Sequence, residues 1–106
     1  MWLGYNFNQS LELPSSIKIL LIECNHLFLM ENLHNGIEEL HLGYDFNLEL
    51  NNLPNSIKKI KFNISSKYDK ELNNLPKFLE LLELPKNYLF PISNINSECR
   101  ITYSKL

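Results

Sequence analysis

The sequence predicts an α/β-type solenoid: a short right-handed superhelix with a parallel β-sheet on its concave face and mostly extended or turn structure on its convex face. Two observations carry this. A pattern I-x-x-L-x-L, a polar turn, then L-P-x-S-I recurs along the 106 residues, clearest from Ile37 to Ile57. Apolar residues that would end a strand also fall at Leu3, Ile22, Leu42, Phe62, Leu84 and Tyr103, with spacings of 19, 20, 20, 22 and 19. Self-similarity at about 20 residues is the mark of a repeat architecture.

Each element follows from this register. A second apolar residue sits two positions before each strand end, at Leu20, Leu40, Ile60, Leu82 and Ile101. Side chains two apart on a strand share a face, so each pair points to one core. Strands that return in the same sense must be parallel and joined by crossovers. Ile17, Ile37, Ile57 and Leu79 enter the core just ahead of the strands. Leu11, Met30, Leu50 and Ile92 enter it eight residues after the strand ends. Leu72 comes ten after Phe62, so two residues are inserted within Asn63–Lys70. Twenty residues leave little room for a helix in the crossover. Pro14, Pro54 and Pro76 hold the preceding leucine extended and block a helix interior. Residues 76–84 also fit an amphipathic helix, but the register places Leu79, Leu82 and Leu84 in strand positions.

The chain divides into a partial first repeat 1–12, repeats 13–32, 33–52, 53–74 and 75–98, and a closing strand 99–106. This is one domain with about five strands. Asn6, Asn25, Asp45 and Asn87 each lie three residues after a strand end. Short polar side chains there bond backbone groups of their own or the adjacent turn. Ser65 takes that place in the fourth unit, where the ladder should break.

Charge and composition exclude several functions. The net charge is −2 and no Lys/Arg block exists, which argues against nucleic-acid binding. No signal peptide or membrane-length apolar run is present, so the chain reads as soluble and cytoplasmic. Cys24 and Cys99 lie about four strands apart, roughly 19 Å at the spacing of a sheet, too far for a disulfide. Cys24 and His26 lack the ligand number of a zinc site. His26, His34 and His41 occupy different columns of the repeat, which gives no catalytic triad. The three glycines form no phosphate loop. No enzyme, metal or cofactor is expected.

Phe7-Asn8-x-x-Leu11 before Leu13-Pro14-x-Ser16-Ile17-Lys18, and Phe46-Asn47-x-x-Leu50 before Leu53-Pro54-x-Ser56-Ile57-Lys58, resemble FNIP repeats of the leucine-rich-repeat class. Such repeats are abundant in social amoebae and in giant viruses of amoebae. His26 and Tyr88 stand where the pattern has Phe, and His34-Asn35-Gly36 replaces Pro-x-Ser once. The resemblance implies a curved solenoid for protein–protein contact, in the host cytoplasm if the chain is viral. In several members the repeats follow an F-box and act as substrate receptors for a ubiquitin ligase. Leu3 already lies inside the first repeat, leaving no room for an F-box, so only the binding half of that role is expected here. A shortened repeat duplicate without a specific partner is the remaining alternative.

The register also predicts the binding face. Residues that alternate with the core point outward in columns: Trp2, Leu21, His41, Lys61, Glu83 and Thr102; Ile19, Glu39, Lys59, Leu81 and Arg100; Gly4, Glu23, Gly43, Asn63 and Pro85. Apolar groups among charges are what a protein-binding patch requires. Trp2, Leu21, Glu39, His41, Lys59, Lys61 and Glu83 are the expected contacts to a protein partner. The first strand, Met1-Trp2-Leu3, has no cap before it, and an uncapped edge predicts self-association there.

Overall fold

The structure is a computed structural model, and it describes residues 1–3 (2 and 3 as backbone), 14–23, 25, 30, 32–92, 95 and 97–103. The expectations for Gly4, Asn6, Leu11, Cys24, His26 and the side chain of Trp2 lie outside them.

The fold is a leucine-rich-repeat-like parallel β-solenoid. Its strands are β1 (Trp2–Leu3), β2 (Ile19–Ile22), β3 (Glu39–Leu42), β4 (Lys59–Phe62), β5 (Leu81–Leu84) and β6 (Arg100–Tyr103). They form one six-stranded sheet in sequence order, every pair parallel. All six end on the residue that the repeat period marks. The segment that also fitted a helix forms β5 over Leu81–Leu84, with Leu79 buried just ahead of it.

Among the described residues, hydrogen-bonded turns precede β2 to β5 and follow β3 to β5. Before the strand, the amides of Ile17, Ile37, Ile57 and Leu79 donate to the carbonyls of Pro14, His34, Pro54 and Pro76. After it, Phe46 donates to Gly43, Ser66 to Asn63 and Tyr88 to Pro85. The Pro of L-P-x-S-I thus opens the turn that aims Ile into the core. His34 does the same with its own carbonyl, which is why the pattern tolerates the replacement. Parallel bonds continue past the strands, as in Glu38 and Glu39 to the Lys18 carbonyl and Lys58 and Lys59 to that of Glu38.

The core consists of the inward columns of β2 to β5; on β6 the expected core residues Ile101 and Tyr103 are instead exposed, because among the described residues no further coil covers that end of the sheet. Leu20, Leu40, Ile60 and Leu82 are fully buried, as are Ile22, Leu84, Ile37, Ile57, Leu79 and Leu72. Leu72 therefore occupies the position expected from the two-residue insertion. Beside the aliphatic columns runs an aromatic one. Phe46 and Tyr68 stack with centroids 6.2 Å apart, Tyr68 and Tyr88 do so at the same distance, and Phe62 lies 4.7 Å from Tyr68. Each tyrosine hydroxyl donates to a carbonyl one coil back, Tyr68 to Leu48 at 2.8 Å and Tyr88 to Lys70 at 2.7 Å. Burial pushes both phenols up, Tyr88 to about 12 and Tyr68 further.

This column locates the insertion. Ser66 closes the same turn that Phe46 and Tyr88 close in their coils, yet it is a buried serine. Its hydroxyl accepts the amide of Tyr68, which supplies the ring two residues late. The segment near Tyr68 thus keeps the aromatic column of the repeat.

The turn ladder is only partly the predicted one. Asn25 spans two coils, its amide donating to the Asp45 carbonyl and its Oδ1 accepting the amide of Asn47. Further on, Asn47 accepts from Asp69 and Asn55 from Lys77. In the fourth unit Ser65 donates its amide to Asn63 within its own turn. Pro85 corrects an expectation: it is buried instead of facing outward, because the chain has already left β5 and begun its turn there.

Candidate functional site

The open face of the sheet is built by the residues that alternate with the core. In β2 to β5 burial alternates strictly, the second and fourth residues buried and the first and third not. Cross-strand register aligns Ile19, Glu39, Lys59, Leu81 and Arg100 in one column. It aligns Leu21, His41, Lys61, Glu83 and Thr102 in the next, with the Trp2 backbone opposite Leu21. The predicted contact residues from Leu21 to Glu83 therefore share one surface.

That surface changes character across the strands. Ile19 and Leu21 of β2 are 48% and 36% exposed, an aliphatic patch on the open side. On β3 and β4 the face becomes polar. The Glu39 carboxylate lies 2.7 Å from His41 Nε2 and 4.0 Å from Lys59 Nζ. The hydrogen bond from His41 holds the Glu39 carboxyl below its ordinary value, against the opposing effect of burial, and the charges of His41, Lys61 and Lys59 add to the lowering. Exposed ion pairs contribute about 0–1 kcal/mol, so the cluster orients side chains more than it stabilises the fold. Lys61 lies opposite Glu83 in register, yet among the described residues it forms no ion pair.

A lowered Glu39 stabilises the fold above the ordinary glutamate range, and that contribution is lost as pH falls through the lowered value. Carbon-13 titration of the side chain should therefore place Glu39 below free glutamate. His41→Ala should return it toward the ordinary range; an unchanged midpoint would exclude the His41 bond as the main cause.

Next to this cluster is a shallow depression of ≈ 280 Å³ lined by Leu21, Glu23, His41, Gly43, Lys61 and Glu83. Gly43 makes room for it. A Cβ there would overlap Glu23 Cγ, so the Glu23 stem lies over the bare backbone. Any side chain at 43 would have to displace it.

Elsewhere the structure adds what periodicity did not show. His34 lies off the sheet, between the amide of Gly36 and the carbonyl of Pro14, at 2.9 Å from each. Tyr44, Leu89 and Phe90 are exposed around a second depression on the turns after the strands. Cys99 is a free thiol, pushed up by burial and so less reactive than an open cysteine. Among the described residues no three His, Cys, Asp or Glu come together as a metal site, and no helix is long and apolar enough to cross a membrane.

In-register parallel strands, inward Leu and Ile columns and a recurring turn opened by Pro14, His34, Pro54 and Pro76 define a repeat solenoid of the leucine-rich kind. Within that class one stretch is similar to a particular repeat: the family model described as FNIP Repeat matches residues 25–65, which hold β3, β4 and the turn between them. No curated protein and no solved structure matches the chain.

Proposed function

We propose that this chain is a non-catalytic protein–protein interaction scaffold that takes its partner on the open face of the sheet. One observation supports this above others: five consecutive strands present aligned outward columns in which exposed aliphatic groups adjoin charged ones. Ile19 and Leu21 offer an apolar anchor site. His41, Lys59 and Lys61 lie beside it, with Glu39 and Glu83 offsetting part of the lysines' charge. The complementary ligand is a protein segment carrying an apolar side chain followed by acidic residues. Charged neighbours of this kind set orientation and association rate, and the buried apolar contact supplies most of the affinity.

The test is affinity capture with identification of the bound protein, repeated with Lys61→Glu and His41→Ala. Both positions are on the open face, so circular dichroism should stay unchanged. Binding to Lys61→Glu should weaken by roughly tenfold, about 1.4 kcal/mol, and should fall with added salt. A partner held equally by wild type and both variants would place the interface elsewhere. A second copy of the chain is the competing occupant, since β1 pairs with β2 on one side only among the described residues. Light scattering that shows a clean monomer at high concentration removes it.

A further inference from the structure

We infer that His34, Asn35 and Gly36 form a self-modifying site, at which Asn35 closes to a succinimide and then opens to aspartate and isoaspartate. The reaction needs a nucleophile, a base within reach of its proton and an unhindered carbonyl carbon. All three are here. The backbone nitrogen of Gly36 is the nucleophile. Its N–H donates to His34 Nδ1 at 2.9 Å, within the range for proton transfer to a positioned base. An amide N–H only donates, so Nδ1 accepts, and in the neutral ring the proton is on Nε2. That N–H donates in turn to the Pro14 carbonyl at 2.9 Å. The carbonyl fixes the ring and steadies the imidazolium that forms. Nucleophile, base and orienting acceptor stand in the order that activated nucleophiles use.

The electrophile is accessible. Asn35 is exposed, and its side chain has no hydrogen-bond partner among the described residues, so it is free to rotate toward the Gly36 nitrogen. Gly36 brings no side chain into the path. A Cβ there would lie 3.0 Å from His34 Nδ1 and Cε1 and 3.1 Å from the Ser15 carbonyl. The bare position is what allows the imidazole to sit this close to the amide.

In the first step the Gly36 nitrogen bonds to Cγ of Asn35 while His34 Nδ1 takes the amide proton. The tetrahedral carbon then expels its amine, which takes the proton back from the imidazolium and leaves as ammonia. A five-membered imide remains. Water adds to either carbonyl. Opening at the side-chain carbonyl gives aspartate; opening at the main-chain carbonyl gives isoaspartate, with one more carbon in the backbone. Nothing is oxidised or reduced, and solvent water is the only co-reactant. The product adds a negative charge to the turn, and in the isoaspartate form it moves Gly36 away from His34.

The experiment is incubation of the folded chain at neutral pH and physiological temperature. Peptide mapping by mass spectrometry and enzymatic labelling of isoaspartate follow the product. Conversion should localise to residue 35 and vanish in Asn35→Gln. His34→Gln keeps a polar side chain without a base and should slow conversion at least about tenfold, the low end being below the usual gain from general-base catalysis. The folded wild type should also convert faster than the same chain in urea, where His34 is released. No conversion in the folded protein, or an equal rate in His34→Gln, overturns the assignment. If His34→Gln loosens the turn, the comparison of folded with urea-unfolded wild type decides: faster when folded supports the site, equal or slower refutes it.

Discussion

Leu40→Ala is expected to lower the unfolding free energy by about 2–5 kcal/mol, the usual range for a buried leucine truncated to alanine. Leu40 is fully buried and lies in register between Leu20 and Ile60, which are fully buried too. The side chains around it stand on strands tied to both neighbours, so the cavity cannot collapse without shifting a hydrogen-bonded ladder. The whole domain has about 5–15 kcal/mol to lose, and a repeat array passes the loss of one interface to the coils on both sides. A shift in urea midpoint with unchanged slope would measure it. Substitution of the adjacent His41 by Ala provides the control, since losing its part-exposed pair with Glu39 should cost at most about 1 kcal/mol. A Leu40→Ala cost under about 1 kcal/mol would mean that the inward column is not packed as described.

Tyr68→Ala is the second large effect, about 3–5 kcal/mol by analogy with other buried aromatic truncations. Its ring is the middle member of the aromatic column, in contact with Phe46, Phe62 and Tyr88. Tyr68→Phe separates the ring from its hydroxyl. It keeps the stack but leaves the Leu48 carbonyl without its donor, a loss of about 1–3 kcal/mol. Alkaline pH should act in the same direction. Both phenols are raised by burial, so the neutral forms stabilise the fold fully below the ordinary tyrosine range. That contribution is lost as pH rises through the raised values, about 12 for Tyr88. Tyrosinate absorbance followed alongside circular dichroism reads both. If Tyr68→Phe costs as much as Tyr68→Ala, the hydroxyl outweighs the ring and the stacked column is not the main source of stability.

Most of the architecture was legible because the two features that encode it are local and repeat. The L-x-L pair fixes which side chains face the core, and its recurrence fixes the strand ends to the residue. Register even decided the segment around Leu82, where composition alone favoured a helix. The same alternation placed Leu21, His41, Lys61 and Glu83 in one outward column. What was not legible depends on how one coil is staggered over the next. Asp45 has the spacing of a ladder residue, yet Asn47 and Asn55 reach the neighbouring amides, because side-chain reach across coils depends on that stagger. Pro85 has outward spacing and is buried, since the alternation of a strand ends where its turn begins. His34 reads as a substituted turn proline, and nothing in a hydrophobic period reveals that its ring bridges two coils. The fourth unit hides its ring in the same way: spacing puts Ser66 in the place of Phe46, and only the packed column shows Tyr68 filling in.

The extra pair of residues at that point says something about how such a chain can change in length. Ser66 completes its turn, Tyr68 completes the ring column, and β4 and β5 still pair in register at Lys59 with Leu81, Ile60 with Leu82 and Lys61 with Glu83. The pitch of this screw is therefore set by its strands and indifferent to the circumference of any one thread. Coils can grow or shrink by small steps at the turn after the strand while every neighbour keeps its alignment. In this chain the turn after β4 is longer by two residues and the outward columns on both sides of it still align.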